Sequence, residues 1–331
     1  MTAKVHTLIS ENQVCEPPKS GSLDTLAQLG TNSPDVTDLG SYRKRARAKY
    51  FTNNLAIRLA TIEDSFLKKS YFNSYYCSSS LVQKDKTFTS KYCGNRWCTV
   101  CNRIKTAQLI NGYSSVLEEL PDKHFVTLTL RNVDDEELKP TLDYMLKTVK
   151  QIQDNFKKKR QRGLQSWQLV GLRKLECTYN PILNSYHPHF HFIVSGKESA
   201  DVLVSEWLSR VKTADIKGQN VKPCRPGINH ELFKYFSKII TKVDGKNMTY
   251  IGALDVIFTS IWGLRTFQSI GIKKHISEDI LEVQSQVVVD AESERDYWVW
   301  AGSDWNSLNT NKGLTGYKPS DKMDELVANM V

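Results

Sequence analysis

No apolar run in the 331 residues approaches the ~18 needed to span a bilayer, and the start MTAKVHTLISENQ lacks the apolar stretch of a secretory signal. These absences predict a soluble, cytoplasmic protein with no membrane partner. Its seven cysteines are then expected as thiols or metal ligands rather than a disulfide framework. No internal repeat is present, so no array of repeated units is expected. Acidic side chains are scarce over most of the chain: residues 1–275 carry 41 basic against 25 acidic residues, an excess of 16 positive charges. That balance is the electrostatic footprint of a nucleic-acid binder, although attraction to other polyanions would serve as well. Residues 276–331 reverse it, with 11 acidic and 4 basic residues, and are not expected to face DNA.

Four regions follow from composition. Residues 1–40, rich in Ser, Thr, Gly, Pro and Asp without a period, read as a flexible leader. Residues 41–110 read as a helical, cysteine-rich module, residues 120–275 carry most of the chemistry, and residues 276–331 read as a Trp-containing acidic tail. In the second region YCGNRWCTVC supplies Cys93, Cys98 and Cys101, with Cys77 upstream. Four thiolates in a tetrahedron suit a structural Zn2+, while buried apolar cysteines are the plainer alternative. Cys15, Cys177 and Cys224 have no such company and are read as structural.

In SYHPHFHFIVSG, residues 185–196, His187, His189 and His191 alternate with apolar residues, which on a strand places the imidazoles on one face. Partly exposed histidines are commonplace, yet a pair at i and i+2 can converge on one cation. Upstream, KHFVTLTLRNV reads as a strand at 124–131, and Leu138, Leu142, Met145, Val149, Ile152 and Phe156 mark one face of a long helix with a basic end. LVGLRKLECTYN reads as a strand turning through PILNS into the histidine strand. The hairpin places Glu176 beside His189 and His191, as a third metal ligand or as a salt-bridge partner of Lys174. NHELFKYFSKIITK, residues 229–242, reads as a helix with Glu231, Tyr235 and Lys238 on one face, which makes Tyr235 a candidate nucleophile.

FVTLTLRN, LECTYNPILNSYHPHFHFIV and ELFKYFSK, in this order, resemble the three motifs of Rep_1-type rolling-circle replication initiators of small bacterial plasmids. CGNRWCTVC with Cys77, and GLRTFQSIGIKK, resemble that family too, so the likeness runs from about residue 70 to 275. It implies an α+β fold: a central antiparallel sheet of HUH or ferredoxin-like type with helices packed on it, plus a small cysteine-rich zinc-binding module. It implies metal-dependent, origin-specific nicking of single-stranded or hairpin origin DNA by residues 120–275. Mg2+ or Mn2+ would sit on His189, His191 and Glu176, and Tyr235 would form a 5′-phosphotyrosine and free a 3′-OH primer. Lys238 would assist the tyrosine, Glu231 would help water terminate the cycle, and His187 would not be a ligand. Host helicase and polymerase are the expected partners. An HUH-type transposase and a non-catalytic zinc-stapled DNA-binding protein remain the alternatives, with a metal-dependent hydrolase of small substrates behind them.

Overall fold

Alternation of Val126 and Leu128 with Thr127 and Thr129 builds β3 (Lys123–Thr129), the strand expected there, with its even residues buried. The computed structural model describes residues 39–84, 87–165, 168–225, 232–233, 238–274 and 295–331; the expected leader lies outside them up to residue 38. After β3, α4 (Asp135–Gln161) buries all six apolar positions of its predicted face and exposes much of its basic end. Before it stand α1 (Leu39–Ala60), α2 (Lys68–Tyr75), β1 (Ser80–Lys84), β2 (Thr87–Ser90) and α3 (Thr99–Glu119).

β4 (Gly171–Asn180) and β5 (Ser185–Ser195) form the expected antiparallel hairpin. Asn180 accepts from the amides of Ile182 and Leu183 through its Oδ1, and Asn184 takes the left-handed conformation (φ 44°) that Asn tolerates in turns. The chain continues through α5 (Lys197–Arg210), β6 (Asn220–Pro223), β7 (Thr241–Val243), β8 (Lys246–Met248), α6 (Ile251–Ser260) and β9 (Phe267–Ile270). The five-stranded sheet has the order β6-β3-β5-β4-β9 with every neighbour antiparallel.

One face of this sheet is the core. Val126, Leu128, Leu175, Phe190, Phe192 and Val194 pack there against the apolar sides of α4, α5 and α6. Trp207 is fully buried among them and still donates its indole N–H to the Thr129 carbonyl at 3.0 Å, so its polar atom carries no desolvation penalty. Each such large apolar side chain stabilises the fold by roughly 1.5–3 kcal/mol. The mixed architecture of helices on an antiparallel sheet is the α+β class expected. Among the described residues, no helix is long and apolar enough to cross a membrane.

The stretch expected as an acidic tail contributes more than charge. β10 (Arg295–Trp300) pairs with β1, β11 (Trp305–Ser307) pairs with β10, and α7 (Asp321–Ala328) packs its Met323 and Leu326 into the main core. The resulting second sheet has the order β11-β10-β1-β2 and closes over Ala46 of α1 with the fully buried Trp305.

The expected helix at 229–242 needs correction. Leu232 and Phe233 are helical and buried, but Lys238–Ile240 are not helical and Thr241 opens β7. Ile239, Ile240, Thr241 and Val243 are β-branched, and Asp244-Gly245, both at positive φ, form the turn that pairs β7 with β8. A hairpin therefore takes the end of that helical pattern, and Lys238 does not extend the helical face. Glu231 and Tyr235 lie outside the described residues.

Candidate active site

The register of the sheet assembles the polar face. Glu176 of β4 stands opposite His189 of β5, Lys174 opposite His191, and Thr178 opposite His187, while Thr127 and Thr129 of β3 flank His191 and His189 from the other side. Side chains opposite each other share a face, so all of these project away from the core.

Three of them converge. Glu176 Oε2 lies 3.4 Å from His189 Nε2 and 3.5 Å from His191 Nε2, and the three residues form one group able to hold a metal ion. Ligands at about 2.0–2.2 Å from one cation stand roughly 3–3.5 Å apart, so the spacing fits. The tautomers fit as well. His189 Nδ1 faces the His187 carbonyl at 3.1 Å, an acceptor only, so Nδ1 carries the proton and Nε2 keeps its lone pair. His191 Nδ1 meets Thr127 Oγ1 at 3.2 Å, a partner able to orient that ring in the same sense. His187 is spent elsewhere: Nε2 meets Thr129 Oγ1 and Nδ1 meets Asn132 Oδ1, both at 2.9 Å.

Charge is balanced within the cluster. Lys174 forms an ion pair with Glu176 Oε1, so the salt-bridge reading and the metal-ligand reading of Glu176 are realised by different oxygens of one carboxylate. Burial alone would raise the Glu176 carboxyl, but the Lys174 ammonium and the two adjacent imidazoles outweigh it and hold it well below the usual range. His191 is lowered by burial, partly offset by Glu176, and burial together with the two neighbouring imidazoles lowers His187 to about 4.

Beyond His191 the same face turns apolar. Phe125, Leu172, Ile193 and Phe267 pack there with Tyr113 and Leu117 of α3 and with Leu232 and Phe233. Phe233 stacks on Tyr113 (centroids 6.4 Å), and its carbonyl accepts from Thr106 Oγ1 at 3.1 Å. Leu232 and Phe233 thus lie on the histidine face. Lys238 is half-buried on the way to β7.

The cysteines form a second group. Cys77, Cys93, Cys98 and Cys101 bring their sulfurs within 4.8 Å of one another, with Cys77–Cys101 at 3.4 Å and Cys93–Cys101 at 3.6 Å. A tetrahedral ion at about 2.3 Å from each sulfur requires edges of about 3.8 Å, close to these. Backbone amides already point at the sulfurs: Cys93 N–H at Cys77, Gly94 N–H at Cys101 and Cys101 N–H at Cys98. Cys98 also caps the N-terminus of α3. Lys49, fully buried, donates to the Tyr75 carbonyl at 2.6 Å and to Ser79 Oγ at 3.0 Å beside this group. Burial pulls its ammonium down to about 8 against the opposing pull of the cysteines, so a cation is held where thiolate charge gathers. Cys177 is buried in the core on the other side of β4 from Glu176, Cys224 is half-buried and belongs to neither group, and Cys15 lies outside the described residues.

Thr127, Thr129 and Lys49 were not singled out as supporting residues from the sequence. The threonines had a signal, since they alternate with the apolar residues of β3 and so share a face with the histidines once the strands pair. Lys49 had none, as it sits among the many basic residues of α1.

The family model described as Replication protein, Rep_1, matches residues 84–200. Residues 84–200 are thus similar to the Rep_1 replication proteins. A protein named Protein rep from Staphylococcus aureus is 27% identical over 192 residues, covering 53% of this chain and 79% of that protein. Proteins of the same name from a Bacillus species and from Bacillus amyloliquefaciens are 28% and 29% identical over 141 and 139 residues, and the matches span 44% and 39% of their lengths. No solved structure matches. The Rep_1 segment contains Cys93, Cys98, Cys101, Glu176, His189 and His191, while Cys77, Glu231, Tyr235 and Lys238 fall outside it.

Proposed function

We propose that the protein initiates rolling-circle replication of a plasmid by nicking one strand of its origin, as an HUH-type endonuclease. The observation that carries this reading is the convergence of Glu176 Oε2, His189 Nε2 and His191 Nε2, in a chain whose Rep_1 segment includes all three. Glu176, His189 and His191 would hold Mg2+ or Mn2+, which supplies positive charge to a scissile phosphate when bound. His187 and Thr127 keep the two ligand rings in register with it.

Tyr235 is the nucleophile in this reading. Its phenol loses a proton, its oxygen bonds to phosphorus, and the bond from phosphorus to the 3′-oxygen breaks, leaving a 5′-phosphotyrosine and a 3′-OH on which a host polymerase extends. Support comes from Leu232 and Phe233, close to Tyr235 in sequence, which pack on the histidine face. Glu231 serves as general base for the water that ends the cycle, and Lys238 as a charge near the tyrosine. The four cysteines hold Zn2+ as a structural staple. Single-stranded or hairpin origin DNA and a host helicase are the partners.

The test is cleavage of an origin oligonucleotide with added Mn2+. His189→Ala and His191→Ala should abolish nicking and weaken Mn2+ binding, and His187→Ala should retain most of both. Cleavage by His189→Ala at the wild-type rate and the wild-type metal requirement would refute the assignment.

A further inference from the structure

Trp262 and Phe66 are 52% and 62% exposed, and their rings meet edge to face with centroids 6.1 Å apart. Large exposed aromatics usually move, but this pair is braced from within. Trp262 lies against Trp97 (6.0 Å), which stacks on Phe258 (5.5 Å) and meets Tyr71 (5.7 Å), so an aromatic ladder runs from surface to core. Arg96 ties down the loop that bears Trp262, donating to the carbonyls of Ile261 at 3.3 Å and Leu264 at 2.6 Å.

The chain segments that carry Arg96 and Trp262 are basic. Residues 91–117 and 256–274 contain no Asp or Glu. Lys105 stands close enough to Arg96 that its ammonium is lowered, first by burial and then by the Arg96 charge. The acids nearby are Glu63 and Asp64, which precede Phe66, and Asp255, whose carboxylate is engaged by the hydroxyls of Ser65 at 2.6 Å and of Tyr71. The same loop also borders the candidate active site. The Arg265 carbonyl accepts from Arg173 at 2.9 Å, the Thr266 carbonyl accepts from the Leu175 amide at 2.7 Å, and Phe267 pairs with Lys174, two residues from Glu176 on the same strand.

We propose that Trp262 and Phe66 form a stacking platform for single-stranded DNA, with Arg96, Lys105 and Arg265 facing its phosphates, on the strand's path to or from the histidine face. Rigid exposed rings beside positive charge bind single strands without reading sequence, because every base offers a π face. A duplex keeps its bases stacked inside and gains nothing from the rings. The proposal rests on the nicking function above and adds where the opened strand is held.

The test measures fluorescence anisotropy of labelled dT20 and of a 20-base-pair duplex with full-length protein and no added divalent cation, alongside origin nicking by the same preparations. Trp262→Ala and Phe66→Ala should each weaken dT20 binding by about 5- to 100-fold and leave duplex binding unchanged, while Trp262→Phe retains most of the affinity. Both alanine positions are surface-exposed, and an unchanged melting temperature confirms folding. Arg265→Gln should flatten the salt dependence of dT20 binding. Wild-type affinity for dT20 in both alanine variants, or equal losses for dT20 and duplex, would overturn the platform and leave the exposed pair to a protein partner. If wild-type protein nicks the origin in that same experiment, the nicking function survives that outcome; absence of nicking in wild-type protein would count against the function itself.

Discussion

Glu176→Gln separates the two demands placed on one carboxylate. In the folded protein its Oε1 pairs with Lys174, whose side chain is only 5% exposed, and its Oε2 faces two imidazoles. Removing one member of a buried ion pair costs about 3–5 kcal/mol, and because Glu176 is itself 17% exposed a figure of about 2–4 kcal/mol is appropriate. At roughly 2 °C per kcal/mol for a chain of this size, the melting temperature should fall by about 4–8 °C. Glu176 is held below its ordinary pKa, so its stabilisation is present above the usual carboxylate range and lost as pH falls beneath it; the variant should lack that acid limb. Lys174→Met in the same background removes the ammonium that has lost its carboxylate and should restore most of the stability without restoring nicking. Lys174→Met alone should tighten Mn2+ binding, because it removes a competing cation. The double-mutant cycle is read by thermal melts, Mn2+ titration and origin cleavage. Full recovery of both metal binding and cleavage in the double variant would refute a ligand role for Glu176 and leave it as a partner of Lys174.

Other perturbations test the frame around the site. Fresh protein should hold about one Zn2+ per chain, and its removal by a chelator, or Cys98→Ser, should lower the melting temperature while nicking still requires added Mg2+ or Mn2+; metal analysis and melts decide this. Gly171→Ala should destabilise by about 3 kcal/mol or more in urea titrations, since φ is +155° and the new Cβ would sit 1.8 Å from the Ile193 carbonyl oxygen. Thr127→Val should weaken Mn2+ affinity by roughly 10-fold with little change in stability, because it removes the hydroxyl that meets His191 Nδ1.

How much of this was legible in the sequence depended on the distance between partners. The hairpin of β4 and β5 was readable because both strands alternate and only four residues separate them, which brought Glu176 to the histidines. The long face of α4 was readable for the same local reason. β10 was not, because its partner β1 lies more than 200 residues earlier and the surrounding acidic charge masked the strand character of RDYWVW. The end of the 229–242 pattern reads as helix because Ile239 and Ile240 satisfy a helical and an extended pattern alike, and pairing of Thr241–Val243 with β8 decides between them. Lys49 and Arg96 could not be told from surface cations, since their burial depends on Tyr75, Ser79 and the α6–β9 loop meeting them in space.

The central claim is that the face bearing Glu176, His189 and His191 presents a DNA phosphate to Tyr235. Its most direct test is to incubate the full chain with a single-stranded origin oligonucleotide and Mn2+, denature it, and map any covalently attached nucleotide by mass spectrometry. The account predicts a 5′-phosphotyrosyl peptide containing Tyr235, absent without metal and absent in Tyr235→Phe. Cleavage without a protein adduct, or an adduct on another tyrosine that persists in Tyr235→Phe, would contradict it.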